Sequence, residues 1–130
     1  MATIVEVSGA SYPANFDGHG IQGLDGESMA PIFSGSESDR QQPIYWEHEG
    51  NCALRQGDWK LVREYGKDWE LYNMKEDRTE LTDLRDKDQG LAARMAADFD
   101  GWGDQVGLID WGILEQDPNM DWHKERKPAE

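Results

Sequence analysis

Four short apolar runs, separated by turn residues, dominate the chain between residues 43 and 74. The runs are residues 44–48, 52–55, 59–65 and 69–74, and each boundary contains a glycine beside polar residues. Aromatic and β-branched residues fit a pleated surface, and such glycines supply the positive φ of tight hairpins. The pattern predicts a four-stranded antiparallel meander with one solvated face.

A stripe of large apolar residues at spacings of three and four follows the predicted sheet. It predicts an amphipathic helix that packs on the sheet, so the predicted fold class is α+β. Asp86, with Gln89 three residues later, is expected to cap the first turn of this helix. The stripe consists of Leu91, Met95, Phe99, Trp102 and Val106.

The segments on either side of the sheet and helix carry weaker patterns. The mostly apolar start of the chain stops at Ser8 and Gly9, which is typical of a helix that ends at a glycine cap. Residues 11–26 are rich in Gly, Asn and Asp and predict a loop, and residues 27–33 predict a short helical turn. The polar tail at residues 109–130 is expected to be poorly ordered or to lie on the surface.

The sequence resembles the C-terminal subdomain of the arylsulfatase family. The residues that carry the resemblance are YWEHEGNCALRQGDWKLV, WELY and DRTELTDL, which are similar to the family's FWEHEGN-A-R-GDWKLV, WELY and D-TE--DL. Earlier segments, MATIVEVSGASYP and LDGESMAPIFSG, are similar to the family's MPTI-D--G--YP and L-G-SL-P---G. A match of this length is more specific than a short motif, and it covers roughly residues 1–108.

The resemblance implies an organisation and a function. Residues 1–42 would be the end of a catalytic-domain helix and a connecting loop, residues 43–108 the C-terminal subdomain, and residues 109–130 a polar tail. The chain would then be a C-terminal fragment of a sulfuric ester hydrolase. It would buttress the missing catalytic domain, its partner, and contribute a pocket-rim loop at residues 47–51. A sulfate ester would bind only in the complete enzyme.

The catalytic groups of this family are not expected in this chain. Sulfatases use a formylglycine nucleophile, made from Cys or Ser in a C/S-x-P-x-R motif, and a bound calcium ion. The only cysteine, Cys52, stands in CALRQ, which has Leu in place of Pro and Gln in place of Arg. Cys52 is better interpreted as a small buried strand residue. Nucleophile and calcium are expected upstream of Met1, so the chain alone is expected to be inactive.

His48 and Asn51 are the candidate substrate-binding residues. His48 ends a predicted strand beside a Gly-Asn turn, and the resemblance places this loop at the pocket entrance of the complete enzyme. The alternatives are a histidine with local hydrogen bonds at a hairpin end and an asparagine that simply forms the turn. Glu47 and Glu49 alternate with His48 and so lie on the opposite face, which argues against a metal site here.

A second hypothesis is a stand-alone binding or interaction module derived from such a subdomain. It would use an exposed aromatic face to bind a sulfated sugar or a protein, and Trp46, Trp59 and Trp69 could form that face. Large aromatic residues on a sheet covered by a helix are more often core. A severed subdomain would expose the apolar surface that faced its missing half and would tend to self-associate through it, whereas a purpose-built module would not.

Composition limits the remaining partners. The chain has 130 residues, which fits one domain, with 27 acidic and 13 basic residues and a net charge of −14. This charge argues against nucleic acid and anionic membranes as partners. No apolar stretch approaches the roughly 18 residues of a membrane span, and no signal-peptide pattern opens the chain. Localisation is not predicted from the residues; the resemblance implies a periplasmic or secreted parent enzyme with its signal upstream.

Overall fold

A computed structural model describes residues 1–36, 40 and 42–117. It divides the chain into two compact units, residues 1–41 and 42–130. The tail predicted at residues 109–130 is described only as far as Asp117, and residues 118–130 lie outside the described part. No helix in the described ranges is long and apolar enough to cross a membrane.

The first unit has short elements and no core of its own. Its first helix ends at Gly9 with φ 66°, as the glycine cap predicted. A two-residue hairpin, turning at Asp17 and Gly18 with φ 48° and 78°, lies where the sequence predicted a loop. None of its described residues is buried. Its elements are α1 (Ala2–Ser8), β1 (Asn15–Phe16), β2 (His19–Gly20) and α2 (Ala30–Phe33).

The second unit contains the predicted antiparallel meander, followed by a long helix. The sheet order β3-β4-β5-β6 follows the chain order, and every neighbouring pair is antiparallel. The structure therefore confirms the α+β class with its four-stranded sheet and following helix. The elements are β3 (Ile44–His48), β4 (Asn51–Gln56), β5 (Trp59–Arg63), β6 (Glu70–Asn73), α3 (Gln89–Val106) and α4 (Trp111–Glu115).

The core lies between one face of the sheet and α3. Leu54, Leu61 and Leu71 are cross-strand neighbours in a single row, and all three are 0% exposed. Met95 and Phe99 of α3 pack against this row and are also buried. Burying a side chain of this size contributes about 1.5–3 kcal/mol each, so this layer holds the unit together.

Aromatic residues surround this core rather than forming an exposed platform. The rings of Tyr45 and Trp102 stack with centroids 4.8 Å apart, and Trp69 meets Phe99 edge-on at 5.4 Å. Trp59 and Trp69 are partly buried against the core cluster. Trp46 lies on the opposite face of the sheet, so the three tryptophans considered as a platform do not share a face.

The predicted cap of α3 was wrong by two residues. Asp88 is the N-cap residue, and its Oδ1 accepts a hydrogen bond from the Leu91 backbone amide at 3.0 Å. The helix begins at Gln89, so only the residue directly before it can reach the free amides of the first turn. Asp86 instead lies 3.6 Å from the Arg85 guanidinium. Val106, the last residue of the stripe, is 56% exposed.

The face of the sheet that α3 does not cover carries apolar side chains of its own. Trp46, Ala53 and Val62 are cross-strand neighbours on this face. Trp46 is 47% exposed, and Ile44 and Val62 are half-buried. We call the surface formed by Ile44, Trp46, Ala53 and Val62 the outer face.

Candidate functional site

The turn between β3 and β4 contains both candidate substrate-binding residues. Its central residues, Glu49 and Gly50, have φ 51° and 80°. Positive φ at both central positions is characteristic of two-residue hairpins of type I′, whose twist matches the flanking strands. The Glu47 carboxylate accepts a hydrogen bond from the Gly50 amide at 2.8 Å and so braces the turn from one side.

Asn51 ties this turn to the next hairpin. Its Nδ2 donates to the His48 carbonyl oxygen at 3.0 Å, and its Oδ1 accepts from the Tyr65 amide at 3.1 Å. Both ends of the amide are therefore engaged with backbone groups. This geometry fits the interpretation that Asn51 forms the turn, and its contact with a substrate stays a prediction.

His48 lies at the end of β3 with its side chain exposed. By strand alternation, its side chain points to the same side as Ile44 and Trp46, the outer face. Within residues 42–117 its imidazole makes no hydrogen bond, and only its backbone carbonyl serves the turn. The imidazole is therefore available to a ligand that approaches from the outer face.

A cleft of about 480 Å³ lies on the other side of the turn, between the helix-facing side of the sheet and the end of α3. Its lining mixes aromatic, acidic and basic side chains. The sheet contributes Glu47, Cys52 and Arg63. The helices and the segment between them contribute Phe99, Asp100, Asp104, Leu108, Ile109 and Trp111. His48 is not among the lining residues, so the exposed imidazole and the cleft are separate features.

Cys52 lies on the floor of this cleft and is 6% exposed. Its thiol donates to the Gly50 carbonyl oxygen at 3.4 Å, and its sulfur accepts from Arg63 Nη2 at 3.5 Å. Burial raises the pKa of the Cys52 thiol, although the Arg63 guanidinium opposes this rise. A protonated, buried thiol is a poor nucleophile, in agreement with the interpretation of Cys52 as a structural strand residue.

Arg63 is held in place from two sides. It donates to Cys52, and its guanidinium carbon lies 4.4 Å from the ring centroid of Trp69. Cation–π contacts of this kind are worth about 0.5–2 kcal/mol. Arg63 therefore contributes to the packing of the cleft floor.

The sequence did not identify the residues that pack against the turn. A Cβ added at Gly50 would lie 2.5 Å from Cδ2 of Tyr65 and 3.1 Å from Cβ of Trp111. The Tyr65 ring and α4 therefore touch the turn directly, where only glycine fits. The one sequence signal was that Trp111 is a large aromatic residue with the apolar residues Ile109 and Ile113 close to it in the chain.

No described group of three or more His, Cys, Asp or Glu side chains is arranged to hold a metal ion. Glu47 and Glu49 do not join His48 in such a group. Glu47 faces the cleft, whereas His48 is exposed on the opposite side of β3.

No protein-family model matches the chain. Among solved structures, Ps i-CgsB in complex with k-i-k-neocarrahexaose is similar, with a TM-score of 0.63 and 24% sequence identity over 78% of this chain. BT4656 in complex with its substrate D-Glucosamine-2-N, 6-O-disulfate is similar with a TM-score of 0.53 and 18% identity over 92% of this chain. These neighbours are sulfatase-like proteins. At these identities the likeness shows a shared fold.

The chain spans only part of these structures. It covers 22% of the Ps i-CgsB chain and 24% of the BT4656 chain. A second crystal structure of Ps i-CgsB matches with the same TM-score of 0.63.

Proposed function

We propose that this chain is the C-terminal part of a sulfatase, an enzyme that hydrolyses sulfate esters. The observation that carries the proposal is the fold that 78% of this chain shares with Ps i-CgsB, a sulfatase-like protein. This chain spans 22% of the Ps i-CgsB chain. The resemblance of residues 45–84 to the arylsulfatase C-terminal subdomain supports the same conclusion from the sequence. The substrate named for BT4656 favours a sulfated sugar as the substrate class.

In this proposal the chain packs against a catalytic domain through apolar side chains that are exposed in the chain alone. In the first unit, Ile4, Val7, Phe16 and Phe33 are 63–74% exposed. In the second unit, the outer face exposes Trp46. Exposed apolar surface of this kind is typical of an interface, and a catalytic domain is the partner that the shared fold suggests.

The turn at residues 47–51 would then contribute to the rim of the substrate pocket. Its backbone is fixed by the side chains of Glu47 and Asn51, and it presents the free imidazole of His48. An imidazole can donate a hydrogen bond to a sulfate oxygen or a sugar hydroxyl. His48 would therefore contact substrate, while Asn51 would mainly keep the turn in position.

The residues that the structure describes do not fit the calcium ion that sulfatases use, and the sequence around Cys52 does not fit their formylglycine motif. The described residues provide no cluster of metal ligands, and Cys52 is buried, protonated and outside the required motif. We place the nucleophile and the calcium ion in residues upstream of Met1.

Activity measurements test this proposal. The 130-residue chain and a longer protein that includes the upstream reading frame would be assayed with nitrocatechol sulfate and with sulfated glucosamine. We expect the short chain to be inactive and the longer protein to be active. In the longer protein, H48A should raise KM several-fold with a smaller change in kcat, because rim contacts act mainly on binding. Hydrolysis by the short chain alone would contradict the proposal.

The exposed Trp46 also favours the alternative of a stand-alone binding module. A module that functions alone should keep its apolar surface small, apart from its binding site. Binding of a hydrophobic dye distinguishes the sulfatase fragment from the stand-alone module. If the chain is a sulfatase fragment, we expect the isolated chain to bind the dye strongly and to self-associate. Weak dye binding and a monomeric state in sedimentation would favour the module.

A further inference from the structure

Three cationic side chains line one shallow concavity at the end of the sheet that lies away from the 47–51 turn. The concavity has a volume of about 360 Å³ and lies beside the turn between β4 and β5. Its lining residues are Arg55, Asp58, Met74, Lys75 and Arg78. Three cations and one carboxylate leave a local positive surplus in a chain whose net charge is −14.

These cations differ from three others in the second unit that do have acidic partners. Lys60 lies 2.6 Å from Glu80, and Lys67 lies 2.6 Å from Glu64. Arg85 likewise lies 3.3 Å from Asp68. By contrast, Arg55, Lys75 and Arg78 make no ion pair with any residue that the structure describes. Acidic residues outnumber basic ones by 27 to 13, so three unpaired cations in one concavity are unexpected from composition.

The backbone beneath the concavity is fixed by several hydrogen bonds. The Met74 amide donates to the Asp58 carbonyl oxygen at 2.7 Å, which joins the β4–β5 turn to the end of β6. The Asn73 side chain accepts from the Lys75 amide at 3.0 Å. Arg55 Nε donates to the Gly57 carbonyl oxygen at 3.3 Å, which orients the guanidinium and leaves its terminal nitrogens for a ligand.

The segment that carries Arg78 is held in the same way. The Asp77 carboxylate accepts from the Leu81 and Thr82 amides at 2.7 and 2.8 Å. These hydrogen bonds lower the pKa of the Asp77 carboxyl, and the bond from the Thr82 amide has the largest effect. The three cations are thus attached to backbone that does not need to reorganise when a ligand binds, which reduces the entropy cost of binding.

We propose that the concavity of Arg55, Lys75 and Arg78 binds a single tetrahedral oxyanion, a sulfate or phosphate group on a small molecule. The planar donors of arginine fit two oxygens of such a group at once, and lysine adds a point charge. A long polyanion would be repelled by the remaining acidic surface, so the ligand carries one such group. This inference does not depend on the proposed sulfatase function.

A titration of the isotope-labelled chain by nuclear magnetic resonance tests the inference. Inorganic sulfate, inorganic phosphate and chloride at matched ionic strength would be added in turn. We expect sulfate or phosphate, but not chloride, to shift the amides of Gly57, Asp58 and Lys75 with a dissociation constant on the order of 1 mM. The anion that binds more tightly identifies the class of ligand.

Charge-removing variants distinguish a site from general attraction. R55Q and R78Q should each weaken binding by about threefold, the effect expected for one exposed charge contact. R94Q is the matched control, because Arg94 is also exposed and makes no ion pair in the described ranges, yet lies on α3 outside the concavity. Equal weakening by R94Q would overturn the inference, since it would indicate diffuse charge. Absence of shifts, or shifts spread over the whole unit, would also overturn it.

Discussion

Replacement of Gly50 by alanine tests the packing of the 47–51 turn against the rest of the second unit. Gly50 has φ 80°, a conformation that alanine adopts at a cost of about 1 kcal/mol. The new Cβ would also lie 2.5 Å from the Tyr65 ring and 3.1 Å from Cβ of Trp111. Such overpacking costs about 1–3 kcal/mol, because the ring and α4 must shift. G50A should therefore lower the free energy of unfolding by about 2–4 kcal/mol.

Gly57 provides the matched control, because it also forms a hairpin turn with positive φ. Its φ is 58°, but a Cβ added there would have no atom within 4 Å. G57A should therefore show the backbone cost alone, about 1 kcal/mol. The difference between the two variants measures the packing of Tyr65 and Trp111 on the turn.

Urea unfolding followed by tryptophan fluorescence measures both variants. All six tryptophans lie beyond residue 42, so the signal reports the second unit. Removal of the Tyr65 side chain should relieve the closest clash and reduce the cost of G50A towards that of G57A, a coupling that a double-mutant cycle detects. Equal destabilisation by G50A and G57A, with no coupling to Y65A, would refute the reasoning.

Three further predictions follow from single side chains. Because Cys52 is 6% exposed and burial raises its pKa, its thiol should react slowly with a disulfide reagent in the folded chain and rapidly in urea; fast reaction without urea would contradict its burial. Burial, followed by the hydrogen bond to Glu70, raises the pKa of Tyr72 to about 12 from 10.0. Since the folded pKa lies above the unfolded value, the free energy of unfolding should stay level below about pH 10 and fall between about pH 10 and 12; Y72F should show a smaller fall. D88A should destabilise the chain by about 1 kcal/mol through loss of the α3 cap, whereas D86A should change stability by less than about 0.5 kcal/mol; urea midpoints in the reverse order would refute the assignment of the cap.

The sheet could be predicted from the sequence because its signal is local. Alternation and turn glycines identified all four strands, and β3 has the predicted limits. The ends of the other strands differ by one or two residues, because pairing also depends on the facing strand. For example, Asn51 joins β4 through its pairing with His48. Tyr65 lies outside β5, where its ring packs against Gly50.

The cleft could not be predicted because its lining comes from distant parts of the chain. Glu47, Arg63 and Asp104 belong to three elements, and no local periodicity brings them together. The same reason explains why the packing of Trp111 on the turn was missed. The choice of Asp86 as cap shows a different limit, because several acidic residues precede α3 and the pattern does not show which one the helix starts after.

The DNA sequence immediately upstream of the Met1 codon shows whether the chain is the C-terminal part of a sulfatase. We expect the reading frame to continue upstream and to encode a C/S-x-P-x-R motif, together with carboxylate residues able to bind calcium. An in-frame stop codon and a ribosome-binding site directly upstream of Met1, with no such motif between the stop codon and Met1, would contradict the proposed function. The stand-alone binding module would then be the function to pursue.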